Sequence, residues 1–71
     1  MPTRVGAHIT GTVWKIEVKS GDRVVPGQVL LIIESMKMEM SVESPVAGTV
    51  QEVLVSPEQA VEEGDVLVTL S

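Results

Sequence analysis

Sliding the chain against itself by 37 positions aligns residues 3–34 with residues 40–71 without a gap, and this internal repeat constrains the fold more than any other feature. Nine of the 32 aligned pairs are identical: Val5/Val42, Gly11/Gly48, Thr12/Thr49, Val13/Val50, Val18/Val55, Val24/Val61, Gly27/Gly64, Val29/Val66 and Leu30/Leu67. Four more, Ile9/Val46, Ile16/Val53, Leu31/Val68 and Ile33/Leu70, are conservative. The matches fall on glycines and aliphatics, which set turns and core, while the polar positions between them vary. A duplicated fold with a pseudo-twofold axis is therefore expected. Each half is too short to bury a core alone, so the two must share one.

The 71 residues leave room for a single module spanning 1–71. With no Cys and one His, His8, neither disulfides nor a metal can staple it, and no second His, Cys or acid cluster gives His8 a metal-binding role. Stability must come from aliphatic packing. Fourteen Val and a single aromatic, Trp14, favour strands over helices. Residues 11–18 and 48–55 read as β-rich, with shorter strands at 29–34 and 66–70. Residues 38–43 alternate with Met38, Met40 and Val42 on one side, which places Met40 with Val42 towards the core. Ser20-Gly21-Asp22, Pro26-Gly27 and Glu63-Gly64-Asp65 carry turn chemistry, and Glu62 and Glu63 belong to a solvated turn. No stretch keeps a helical period. The expected class is all-β, either a flattened β-barrel or a two-sheet antiparallel sandwich with pseudo-twofold symmetry.

Val13, Ile16 and Val18 are spaced by three and then two, as are Val50, Val53 and Val55. Strict alternation cannot turn all three inward, so a bulge or bend is expected after Val13 and after Val50. Trp14 then points outward, as does its counterpart Gln51.

Five Lys and Arg against ten Asp and Glu give a net charge of −5, which disfavours nucleic acid and anionic lipid as partners. The longest fully apolar run, residues 29–33, is far short of a membrane span, and residues 1–20 lack the apolar stretch of a signal peptide. A cytoplasmic monomer is expected. Met1 and the completeness of both halves lean towards a stand-alone protein rather than an excised domain.

Strands 29–34 and 38–43 lie close enough to form a hairpin with Lys37 at its tip. The turn lacks the Asn-Gly or Gly-X pair that favours two-residue loops, so symmetry supports it better than local propensity does. Under the 37-residue shift, the point equivalent to Lys37 is the gap between the chain ends. Lys37 should project from one pole and both ends should lie at the other.

Glu34-Ser35-Met36-Lys37-Met38-Glu39 resembles the attachment motif of the biotinyl/lipoyl domain family, in which a lysine on a hairpin turn is acylated by a ligase. The resemblance covers the whole chain. Gly11, Val18, Gly21-Asp22, Val24, Gly27-Gln28 and Leu30 before the lysine are similar to the family framework. So are Pro45, Gly48, Val50, Val53, Val55, Val61, Gly64 and Leu67 after it. The resemblance implies the family's single hybrid motif in a barrel-sandwich. It also implies biotin joined covalently to Lys37 by a biotin protein ligase, the arm carrying carboxyl groups between biotin carboxylase and carboxyltransferase sites. It implies further that Glu34, Ser35, Met36, Met38 and Glu39 are read by the ligase.

The flanking methionines are of the biotin type, since lipoyl domains typically place Asp before the lysine and a small aliphatic after it. Biotinyl domains usually have Ala where this chain has Ser35, and Glu-Ser or Glu-Thr before the lysine is frequent in lipoyl domains. Lipoate attached by a lipoyl ligase at the same lysine therefore stays open. The short connection from Lys19 to Gln28 leaves no room for the protruding insertion some members carry.

Two other classes compete with the carrier. A small enzyme is disfavoured because one His, no Cys and scattered acids assemble no nucleophile, base and orienting group. An unmodified interaction module is the other.

Overall fold

The computed structural model describes residues 2–71; Met1, on which the expectation of a stand-alone protein partly rests, lies outside the described residues. The chain forms β1 (Thr3–Gly6), β2 (Gly11–Ile16), β3 (Arg23–Val24), β4 (Val29–Ser35), β5 (Met38–Glu43), β6 (Gly48–Val53), β7 (Ala60–Val61) and β8 (Val66–Leu70). Their antiparallel pairing makes two four-stranded sheets, β1-β8-β6-β3 and β5-β4-β2-β7. Moving each strand by 37 residues converts one sheet order into the other, β1 onto β5, β8 onto β4, β6 onto β2 and β3 onto β7. Each sheet thus takes two strands from each half, so neither half is a separate body.

The sheets share no strand, and of the two architectures expected the sandwich holds; the barrel is not closed. Between the sheets lies one aliphatic core that includes Val5, Val13, Val24, Leu30, Leu31, Ile33, Val42, Val50, Val61, Leu67, Val68 and Leu70. The molecule measures 32 × 17 × 17 Å.

Both expected bulges are present. Register shifts between Val13 and Lys15 against β4, and between Val50 and Glu52 against β8. Trp14 and Gln51 are the residues left without a partner, and Trp14 is 48% exposed. The extra residue breaks alternation, so Val13 is buried while Ile16 still packs against the core. A second pair of irregularities falls at Val29/Leu31 in β4 and Val5/Gly6 in β1. Through these, the adjacent pairs Leu30-Leu31 and Leu67-Val68 are all fully buried, which a regular strand would forbid.

Several details differ from expectation. Strands β1, β3 and β7 are too short to show a period, and β2 and β6 end at Ile16 and Val53 rather than at 18 and 55. Met38 is exposed although it alternates with Val42, because it sits at the hairpin end of β5, beyond the core; Met40 is half-buried.

The turns obey the twofold relation more closely than their residues do. The Lys19 amide donates to Asp22 Oδ2 at 3.0 Å, and the equivalent Ser56 amide donates to Gln59 Oε1 at 3.0 Å. The Val25 amide donates to Gln28 Oε1 at 3.1 Å, and the Glu62 amide to Asp65 Oδ2 at 2.9 Å. An acceptor three residues on closes each turn, and Asp and Gln exchange the job between halves.

Candidate functional site

The β4–β5 register runs through Ile32↔Ser41, Ile33↔Met40 and Glu34↔Glu39 and closes at Ser35↔Met38. Met36 and Lys37 are therefore a two-residue loop. Their φ angles are 53° and 64°, the left-handed pair of a type I′ turn, whose sense matches strand twist. Side chains with a Cβ disfavour this region by about 1–2 kcal/mol per residue. The strain is held by the strands below it, where Ile33, fully buried, anchors β4 in the core.

Gly11 permits that anchoring at close range. A Cβ built on it would lie 2.5 Å from the Glu34 carbonyl oxygen, 2.7 Å from Ile33 Cγ2 and 3.2 Å from Ser35 Cβ. The base of the hairpin therefore rests directly on the β2 backbone. A side-chain bond adds to this contact: Ser35 Oγ donates to the Thr10 carbonyl oxygen at 2.9 Å.

Lys37 is exposed at the tip. Among the described residues the one ion pair is Lys15 Nζ–Glu17 Oε1 at 3.4 Å, so no carboxylate holds Lys37. Met36, 91% exposed, and Met38, 66% exposed, stand on either side of it. Glu34 and Glu39 face one another across the strand pair, both exposed, a like-charge arrangement that disfavours the hairpin by a few tenths of a kcal/mol. Five of the six motif residues are thus gathered at the surface of one turn. The sixth, Ser35, is half-buried and hydrogen-bonded within the chain.

The chain ends occupy the related position. Thr3 pairs with Leu70, where the twofold relation carries the base of the hairpin. There, a Cβ on Gly48 would lie 2.6 Å from the Ser71 carbonyl oxygen, as one on Gly11 would meet Glu34.

Other residues stay away from this chemistry. His8 is exposed, and no group of three or more His, Cys, Asp or Glu is arranged for a metal among the described residues. No helix among them is long and apolar enough to cross a membrane. Sequence reasoning did not single out Thr10, whose counterpart is Ala47 and which carries no repeat signal.

A lysine raised on a strained, solvent-facing turn can act as a nucleophile towards an activated acyl group, and the comparisons agree with that chemistry. Residues 1–70 match the biotin/lipoyl family model described as "Biotin-requiring enzyme". The chain is 43% identical over 67 residues to the biotin/lipoyl attachment protein of Bacillus subtilis (strain 168), covering 94% of this chain and 92% of that one. It is 39% identical over 71 residues to the biotinylated protein TB7.3 homolog of Mycobacterium leprae, covering both in full. Among solved structures, the Kluyveromyces lactis urea carboxylase superposes with a TM-score of 0.95 at 32% identity, over 100% of this chain and 6% of that one. The same 71-residue unit thus matches short proteins end to end and one small part of a large carboxylase. A family match from residue 1 to residue 70, with relatives well above 30% identity along its whole length, settles the assignment: the chain belongs to the biotin/lipoyl attachment family.

Proposed function

We propose that biotin protein ligase joins biotin to Lys37, and that the domain is a carrier without catalytic groups of its own. The observation that carries this reading is the geometry of Lys37, exposed at the tip of a two-residue turn between Met36 and Met38 and free of any ion pair among the described residues. The uncharged ε-amine attacks the carbonyl of a biotinyl-adenylate. The new amide bond forms as the acyl–phosphate bond breaks, AMP leaves, and the displaced amine proton passes to solvent. The charge of Lys37 is lost, taking the net from −5 to −6.

Bound through that amide, biotin supplies the ring nitrogen that takes up and releases a carboxyl group. The domain's part is presentation: the sandwich keeps the lysine at its surface, and tethering raises the effective concentration of the arm at partner sites. Those partners are the biotin carboxylase and carboxyltransferase subunits or domains of a biotin-dependent carboxylase, with the domain itself a cytoplasmic monomer. The similarity to a urea carboxylase supports this partner class.

Biotin is favoured over lipoate by the two methionines and by the relative named as biotinylated. Lipoate is the second reading, kept by Glu34-Ser35 and by the relative named for both groups. Intact-mass measurement after co-expression with a biotin ligase, and in parallel with a lipoyl ligase and lipoate, tests both. One biotinyl adduct is expected, absent in Lys37→Ala, whose circular dichroism is unchanged because an exposed turn side chain contributes little to burial. No adduct in either arm would leave an unmodified interaction module; an adduct surviving in Lys37→Ala would move the site elsewhere.

A further inference from the structure

We propose that Ser35 is a positioning residue for Lys37, locking the hairpin to the β1–β2 connection instead of serving as a contact for the ligase. Ser35 lies on the side of β4 that also carries Leu31 and Ile33, and its hydroxyl proton is committed to the Thr10 carbonyl oxygen at 2.9 Å. Thr10 is itself held, its Oγ1 accepting from the Glu63 amide at 3.3 Å. Two side-chain hydroxyls thereby join the hairpin, the β1–β2 connection and the β7–β8 turn.

The part played by the Thr10 hydroxyl is not repeated: its twofold counterpart, Ala47, has none. At the other end Ser71 Oγ donates to the Thr49 carbonyl oxygen, at a longer 3.3 Å. The lock stands where the backbone most needs one, below two left-handed residues and beside the facing carboxylates of Glu34 and Glu39. A turn that carries strain and like-charge repulsion opens more readily when a tertiary bond at its base is removed. A looser hairpin spends less time in the conformation a ligase accepts, which raises the apparent KM by the lost fraction and leaves kcat alone.

The ligase part of the test rests on the function proposed above; the exchange part does not. Amide hydrogen exchange is measured on the unmodified full chain for the unaltered protein, Ser35→Ala and Ser35→Thr. In Ser35→Ala the Met38 and Met40 amides, on the strand paired with Ser35 and Ile33 across the hairpin, exchange about three- to tenfold faster, the loss of one net hydrogen bond, while Leu31 and Leu67 keep their rates. The KM for biotinylation rises about two- to fivefold with kcat kept, and Ser35→Thr, which retains the hydroxyl, restores both. Unchanged hairpin exchange in Ser35→Ala, acceleration spread equally to Leu31 and Leu67, or a KM in Ser35→Thr as high as in Ser35→Ala would overturn the assignment. Failure of the unaltered protein to be biotinylated would remove the proposed function and leave the exchange result standing on its own.

Discussion

The pairing of Ile33 with Met40 below the Lys37 turn and the meeting of Thr3 with Leu70 are the same place in the fold, visited twice. Beneath each, a glycine backbone is pressed against a carbonyl, Gly11 against Glu34 and Gly48 against Ser71. Above that level they diverge. One continues into a left-handed turn carrying a lysine between two exposed methionines, and the other into the chain ends. Charge diverges as well: residues 38–71 hold seven of the ten acids and none of the five Lys and Arg. The frame is common property of both ends, so the frame alone cannot be what distinguishes the end proposed above as the modification site. The difference lies in the few residues between β4 and β5, and in the Thr10 lock beneath them.

If the frame is shared, equal insults to its two copies must cost the same. Leu30 and Leu67 are twofold mates, each fully buried in its sheet. Leu30→Ala and Leu67→Ala are each expected to lose about 2–5 kcal/mol, most of the stability of a domain this small. Urea unfolding should place the two within about 1 kcal/mol of one another. If either cost less than half the other, the two halves would not bear the core equally, and the comparison would break.

Gly11 and Gly48 probe the level just below the divergence. An added methyl at Gly11 meets three atoms within 3.2 Å, one of them from fully buried Ile33, whereas at Gly48 a single atom lies closer than 3.8 Å. Overpacking of this kind costs about 1–3 kcal/mol, and Gly11→Ala is expected at the upper end with Gly48→Ala at the lower. Gly11→Ala should also slow biotinylation, since the atoms it displaces carry the hairpin, while Gly48→Ala should leave the rate unchanged. Equal effects on that rate would mean that the ligase senses global stability and not the hairpin.

The repeat made the frame readable because glycine and aliphatic identities recur where backbone and core demand them. The bulges at Trp14 and Gln51 were legible for the same reason: three inward residues at a three-two spacing admit no regular strand. Strands β3 and β7 were not legible, since two residues show no period, and neither was the double burial of Leu30 and Leu31, which depends on a register shift set by the partner strand. The Lys37 turn was legible through its motif and its place in the repeat, against its own propensity. Its lock was hidden, because the acceptor is a backbone carbonyl on a residue, Thr10, that any side chain could supply. The turn acceptors were hidden differently. Asp22 opposite Gln59 looks like divergence in an alignment, yet both oxygens close the same turn.

Gly21 and Glu58 show that divergence of this kind has a measurable cost. Both are left-handed, with φ of 96° and 71°, and both donate an amide to the opposite half, Gly21 to the Val50 carbonyl and Glu58 to the Val13 carbonyl. The same backbone role is filled by a glycine in one copy and by a residue with a Cβ in the other. A Cβ at Gly21 would meet nothing within 4 Å, so the conformation itself, and not space, separates the two. Glu58→Gly is expected to stabilise by about 0.5–1 kcal/mol as the left-handed strain is relieved, less the entropy glycine returns to the unfolded chain. Gly21→Ala is expected to destabilise by a similar amount. Urea midpoints at unchanged slope would report both. Opposite signs of comparable size would establish that the two turns impose one backbone whatever residue occupies them, and two shifts of the same sign would show that each half sets its own.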